Sequence, residues 1–194
     1  MKITSRKLNT AHLTANEEAL VRCQTAIELK DRGDYEGARY VMGNLWNRVG
    51  DRPQTEGLFP SVTAEVVLCV GVLTRWIGSR NRVSEAQEQA KNLITEAITF
   101  YESTGDSKKV AAARVELACC YWREGAFDEA RVLLCDALQV LTTEGNTRAR
   151  ALLRLTIVEW SDSRHTEALK LLTENERLFG KITNETLRGT YHNQ

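Results

Sequence analysis

The sequence predicts an all-α protein assembled from stacked helical hairpins, and three observations carry that expectation. Apolar residues recur at three- and four-residue spacing along most of the chain, the period of helices buried on one face. Proline occurs twice, at Pro53 and Pro60 in one short stretch, so the remainder can be helical without the roughly 3 kcal/mol cost of an internal proline. A module of helix, tight turn and helix recurs four times across 194 residues. Each such hairpin can bury its apolar face only against the next one.

The clearest copy runs from Ala111 to Leu141, AAARVELACCYWREGAFDEARVLLCDALQVL. Its two helices meet at Glu124-Gly125-Ala126, and Ala130, Val132-Leu133-Leu134, Ala137-Leu138 and Leu141 form an i, i+3/i+4, i+7 stripe. Small residues in these stripes let helix axes approach to the short end of the usual range of about 8–10 Å. The first copy places Thr25-Ala26, Leu29, Gly33, Tyr35, Ala38, Met42 and Leu45 at the same offsets. In the fourth, Leu155-Thr156, Ala168, Leu172 and Leu178 fit, with Ser163 for the turn glycine and His165 for the aromatic. The second has Val70-Gly71, Gly78, Ala90, Ile94 and Ala97-Ile98. Twelve residues separate Gly78 from Ala90, against five between Gly125 and Ala130. With Gly78 as the turn, the second helix of this copy is expected to start early, near Arg82 or Ser84.

These offsets give an N-terminal arm over 1–14 and a repeat domain over 15–194. Its units cover about 15–48, 62–103, 106–144 and 146–180, with a partial fifth over 182–194. The fifth unit's Leu–small signature would fall at the last residues, so the array is expected to continue past them, the alternative being a short terminal cap with a polar tail. Asp106, Asn146 and Asn184 precede helical patterns and suit N-caps. The irregular span Val49–Ser61 is the expected surface loop, and Trp46, in the second helix of the first unit, is expected in the core.

Leu117-Ala118, Tyr121, Gly125, Phe127, Ala130, Leu134 and Ala137-Leu138 together resemble the tetratricopeptide repeat, departing from it at Arg114 and Thr142. Ala90, Ala130 and Ala168 stand 40 and 38 residues apart. That is longer than the standard repeat of about 34 residues and similar to the extended arrays of bacterial regulatory proteins. The resemblance covers about residues 15 to 180. It implies a right-handed α-solenoid of about four antiparallel helix pairs plus a partial fifth, with the first helices lining a concave groove.

Composition narrows the function classes. Lys+Arg and Asp+Glu are both 26, a formal net charge of zero, which argues against a dedicated nucleic-acid binder. The longest apolar run, Val66–Leu73, is too short for a membrane span, and the N-terminus has no signal-peptide core, so a cytoplasmic location is expected. Cys23, Cys69, Cys119, Cys120 and Cys135 lack metal-type spacing and read as buried free thiols, with one of the vicinal pair facing the groove. Asn184-Glu185-Thr186 matches a glycosylation sequon that a cytoplasmic chain would not use.

Chemistry-bearing patterns are weak. His12, His165 and His192 are scattered, there is no phosphate loop or nucleophile elbow, and Glu17-Glu18 and Glu85/Glu88 read as dipole-favouring helix starts. Neither enzyme activity nor a cofactor or metal is expected. The tryptophans are more informative: Trp76, Trp122 and Trp160 fall two to three residues before Gly78, Gly125 and Ser163, late in successive first helices. On the resemblance, these rings join Arg75, Arg123, Arg150 and Arg154 on or beside the groove as partner-binding residues. The competing reading packs each ring between neighbouring repeats. The expected function is a protein-interaction scaffold that binds a peptide or partner protein through the concave face. The alternative is the sensor or oligomerisation module of a larger bacterial regulatory protein. An exposed solenoid end would also allow self-association.

Overall fold

The computed structural model describes residues 12–143, 145–182 and 185–192. The arm over 1–11 and the cap and sequon residue Asn184 lie outside them, as do the last residues of the partial fifth unit and the His192 side chain. The described chain is all-helical, with no strand among those residues. It divides into two compact units, 1–97 and 98–194.

The first unit opens with α1 (Ala15–Asp31), started by a reciprocal capping box. Thr14 Oγ1 accepts from the Glu17 amide at 3.3 Å, and the Thr14 amide donates to Glu17 Oε2 at 2.9 Å. Both satisfy N–H groups that a helix start leaves open. Gly33, at φ 79°, turns the chain into α2 (Tyr35–Met42), which Asp34 caps by accepting from the Gly37 amide. The second helix of this unit was expected to carry Trp46, but it ends at Met42. Gly43 takes φ 59°, a short 3-10 turn follows to Leu45, and extended backbone at Trp46 drops the indole into the core. Trp46 is 1% exposed and donates its ring N–H to the Asp51 carbonyl at 3.1 Å. The irregular segment is exposed over much of its length but buries Pro53 and is tied down by Arg52 on Glu96.

Helix α3 (Pro60–Asn81) has Pro60 in its first turn, where no amide partner is lost. Its most apolar window has mean hydropathy 1.4, so by length and composition it could cross a membrane, contrary to the sequence expectation. That window is 72% buried, and Val62, Val66, Val67, Cys69, Val70, Leu73 and Ile77 form the unit's core with Ala19, Cys23, Ala26 and Met42. Gly78 is not the turn residue. The helix continues three residues past it, and Arg82 takes the left-handed cap at φ 52°. Helix α4 (Ala86–Ser103) therefore starts later than expected. What demands glycine is proximity: a Cβ at Gly78 would stand 2.2 Å from the Ala86 Cβ, and one at Gly71 2.9 Å from Ile94 Cγ1.

The second unit takes the end of α4 and adds α5 (Ser107–Glu124), α6 (Phe127–Val140), α7 (Asn146–Ser161) and α8 (His165–Glu174). A short α9 (Glu176–Phe179) and α10 (Glu185–His192) complete it. Asp106 caps α5 as predicted, whereas Asn146 is the first residue of α7 and Gly145 holds the cap position without a side-chain bond. Gly125 (φ 80°) and Ser163 (φ 61°) both make left-handed turns, so Ser163 does substitute for the turn glycine. Each of α5 to α8 packs on the next, and α5 also touches α7. Ala118, Ala130, Ala137 and Ala151 sit fully buried at these crossings.

Exchanging glycine for alanine inside a helix normally stabilises by about 0.5–1 kcal/mol. At Gly78 the sign reverses, because the new methyl overlaps Ala86 and overpacking costs about 1–3 kcal/mol. Gly78→Ala is expected to lower the urea midpoint, while Gly189→Ala on α10, with open space around it, is expected to raise it. The Glu17 carboxyl titrates below its usual range because the Thr14 amide and hydroxyl donate to its charged form. Its contribution to α1 is therefore present above the ordinary glutamate pKa and lost as pH falls through the lowered one. Amide exchange at the start of α1 should accelerate in that acid window, and Thr14→Ala, which removes the hydroxyl but keeps the amide that donates to Glu17, should weaken the pH dependence without abolishing it.

Candidate interaction surface

In the second unit α7 presents four faces. Ala151, Leu155 and Val158 join the core made by α5 and α6. Glu159, 4% exposed, points towards α6 and the turn into α8, where Arg131 donates to it at 2.8 Å. Arg150, Arg154, Ile157 and Ser161 recur every three to four residues and form the partly open stripe. Ala149, Leu153, Thr156 and Trp160 form the fourth.

The open stripe is continuous with one on α5. Arg150 Nη1 lies 3.5 Å from Glu116 Oε1, and Trp122 donates its indole N–H to Ser161 Oγ at 2.8 Å. The Arg123 guanidinium sits 5.4 Å from the centre of the Trp122 ring. Between the helices, Ala118, Cys119, Trp122, Leu134, Arg154, Ile157 and Val158 line a crevice too narrow to admit water. The structure thus brings together four of the seven predicted residues: Trp122, Arg123, Arg150 and Arg154. Trp122 is half-buried against α7, so its ring packs between consecutive hairpins, the competing reading for the tryptophans, while its edge borders the stripe. Trp160 lies on the fourth face of α7 and is 56% exposed, with the His165 ring 4.5 Å away.

Arg75 and Trp76 belong to the first unit. Arg75 was expected on or beside an inner surface and is instead fully buried, its guanidinium 4.9 Å from the Trp76 ring. Trp76 is half-buried and stacks on Tyr35 at 6.1 Å, with Lys30 also over its face. Both stabilise the α1–α3 packing. The reason is the length of α3. With Gly78 inside the helix, Arg75 falls a turn earlier than the repeat spacing suggested, among buried neighbours.

Four of the five cysteines are buried free thiols as expected, and Cys135 is the exception. Cys119 and Cys120 are both buried, neither facing solvent, although Cys119 reaches the crevice floor; Cys135 is exposed. At Cys69 the neighbouring Cys23 and burial push the thiol well up, which suits packing rather than reactivity.

One charged group escaped the sequence reading. Arg131 of α6 reaches Glu159 and Asp162 of α7 as well as its own neighbour Asp128, and these partners hold its guanidinium further above its ordinary value. Arg164 adds a second cation 3.1 Å from Glu159. The available signal was an arginine inside the apolar run from Ala130 to Leu134. A separate cleft of about 280 Å³ is lined by Tyr101, Glu102, Arg114 and Asp136, with Arg114 and Glu102 paired at 3.0 Å. No protein-family model, curated protein or solved structure matches this chain.

Removing one member of a buried ion pair strands the other, at about 3–5 kcal/mol. Because Arg164 remains beside Glu159, Arg131→Met is expected to cost about 2–3 kcal/mol in denaturation of the chain. Adding Glu159→Leu should recover most of that loss. A double variant no better than the single would show that the packing of Arg131, not its charge, matters.

Proposed function

We propose that this chain is a non-catalytic protein-interaction scaffold of the tetratricopeptide-repeat type, a right-handed solenoid that binds a peptide or partner protein along the α5–α7 stripe. The observation that carries this reading is the stripe itself. Two neighbouring helices share one partly open strip, and it carries Arg123, Arg150 and Arg154 beside the edge of Trp122. Arginine and tryptophan are the side chains most often found to dominate binding energy, because each combines large contact area with directional hydrogen bonding or π contact. Glu116 sits among the cations, so the matching ligand is a mixed-charge or acidic segment rather than a polyanion. The helical turns at Gly33, Gly125 and Ser163 and the alanines beneath the helices support the repeat assignment.

The test is affinity capture with the intact chain and with Arg150→Ala/Arg154→Ala, both checked for equal helicity. Loss of a specific partner, with its affinity reduced by about 10- to 100-fold, is the expected result. An identical partner set would move the binding surface elsewhere. Nucleic acid is the competing ligand class, and a steep fall of affinity with salt, tracking phosphate neutralisation, would favour it instead.

A further inference from the structure

Three sulfur atoms meet in the core of the first unit, each brought by a different helix. Cys23 comes from the middle of α1, Met42 from the last residue of α2 and Cys69 from the middle of α3, and all three belong to one buried cluster. Cys69 Sγ lies 3.9 Å from Met42 Sδ and 3.7 Å from the Cys23 carbonyl oxygen, and it also meets the Cys23 side chain. The chain has five cysteines and two methionines, and three of these seven residues converge here. Valine and leucine line much of the same core and fill space at least as well as sulfur does.

The spacing suits a metal. Three sulfurs around one ion in a plane, with bonds of about 2.3 Å, stand about 4 Å from one another. The separation of Cys69 and Met42 is close to that. The donor set selects the ion. Among the described residues no group of three or more His, Cys, Asp or Glu side chains converges, so nothing completes a tetrahedral zinc site. Two thiols and a thioether are soft ligands, and they suit cuprous copper, which is content with two or three of them.

Charge and access agree with that choice. Two thiolates around a monovalent ion leave one negative charge, and the buried Lys30 ammonium, paired with Asp31 at 2.7 Å, acts on Cys69 in the direction that offsets it. Glu65 opposes this more weakly. The Cys23 side chain and burial hold Cys69 protonated, so it resists oxidants and yields its proton only to a metal of high affinity for sulfur. Cys23, 7% exposed, is the most accessible of the three and marks the side of entry.

We propose that Cys23, Met42 and Cys69 bind one cuprous ion in the core of the first unit. Both cysteines coordinate as thiolates, their protons pass to solvent, and copper keeps its oxidation state throughout. The bound ion ties α1, α2 and α3 together. The site shares no residue with the α5–α7 stripe and is independent of the function proposed there.

The test is anaerobic titration of the full chain with cuprous copper against the chelator bathocuproine disulfonate, followed by X-ray absorption at the copper edge. One ion per chain should bind, surrounded by three sulfurs. Cys23→Ala and Cys69→Ala should each lower the affinity about 100-fold or more. Met42→Leu, which keeps the side-chain volume, should lower it about 10-fold and leave two sulfurs around the metal. A chain carrying Cys119→Ala, Cys120→Ala and Cys135→Ala should bind as the intact one does. Copper held equally well by the Cys69→Ala chain, lost from the triple variant, or ligated by nitrogen or oxygen would overturn the proposal, as would failure to compete with the chelator. Should the Cys23 and Cys69 variants lose helicity, Met42→Leu decides: a fall from three sulfurs to two supports the site, and an unchanged copper environment removes it.

Discussion

Helix axes can come close only where no side chain stands between them, and the architecture of both units follows from where this chain leaves side chains out. In the first unit Gly71 and Gly78 of α3 face Ala86, Ala90, Leu93 and Ile94 of α4 at distances that exclude a single methyl. In the second, buried alanines at 118, 130, 137 and 151 play the same part. Close approach brings the flanking valines, leucines and isoleucines into contact along whole helices. Burial then supplies roughly 25 cal/mol per Å² of apolar surface removed from water. The small residues contribute little area themselves; they decide whether their larger neighbours can touch.

Packing a helix on three sides determines what its fourth side can do. α7 meets α5 through Val158 and Leu155, α6 through Glu159, and α10 through Leu152 and Leu153. The row of Arg150, Arg154, Ile157 and Ser161 keeps contact with solvent along the helix, as Trp160 does at its end. Two rows of this kind, side by side on α5 and α7, hold their side chains on helices rather than loops. Guanidinium groups anchored this way lose less conformational freedom on meeting a ligand than the same groups on a mobile segment, which favours recognition.

Much of this was legible in the residues. The period of the apolar stripes, the turn glycines and the small–large alternation identify the helices of the second unit closely, and Ser163 was readable as a left-handed turn. The capping box at Thr14 and Glu17 was there to be read and was passed over. The first unit was harder, for a physical reason: glycine serves both left-handed turns and close helix approach, and sequence spacing does not separate the two. Taking Gly78 for a turn misplaced the start of α4 and sent the fully buried Arg75 to a surface. Gly43 was the reverse case, a real helix stop inside a segment whose periodicity continued to Trp46. The site residues fared unevenly because an aromatic late in a first helix can face a groove or the next hairpin. These choices differ by a rotation of about 100°, one residue along a helix.

The buried cluster around Arg131 bears on a weakness that apolar stripes share. Sliding one helix by a turn, about 5.4 Å, still lays apolar residues on apolar residues and costs comparatively little. Ala151, Leu155 and Val158 are similar enough that α7 could shift against α5 and α6 and keep much of its burial. Arg131 cannot follow such a shift, because Glu159 and Asp162 would both leave its reach and Glu159 would remain buried. Arg164 would still pair with Glu159, but losing Arg131 leaves that buried charge only partly compensated, which costs more than an exchanged methyl contact. The ion cluster therefore selects one register from several that hydrophobicity alone would allow, and the Trp122–Ser161 bond fixes the same register from the other side of α7.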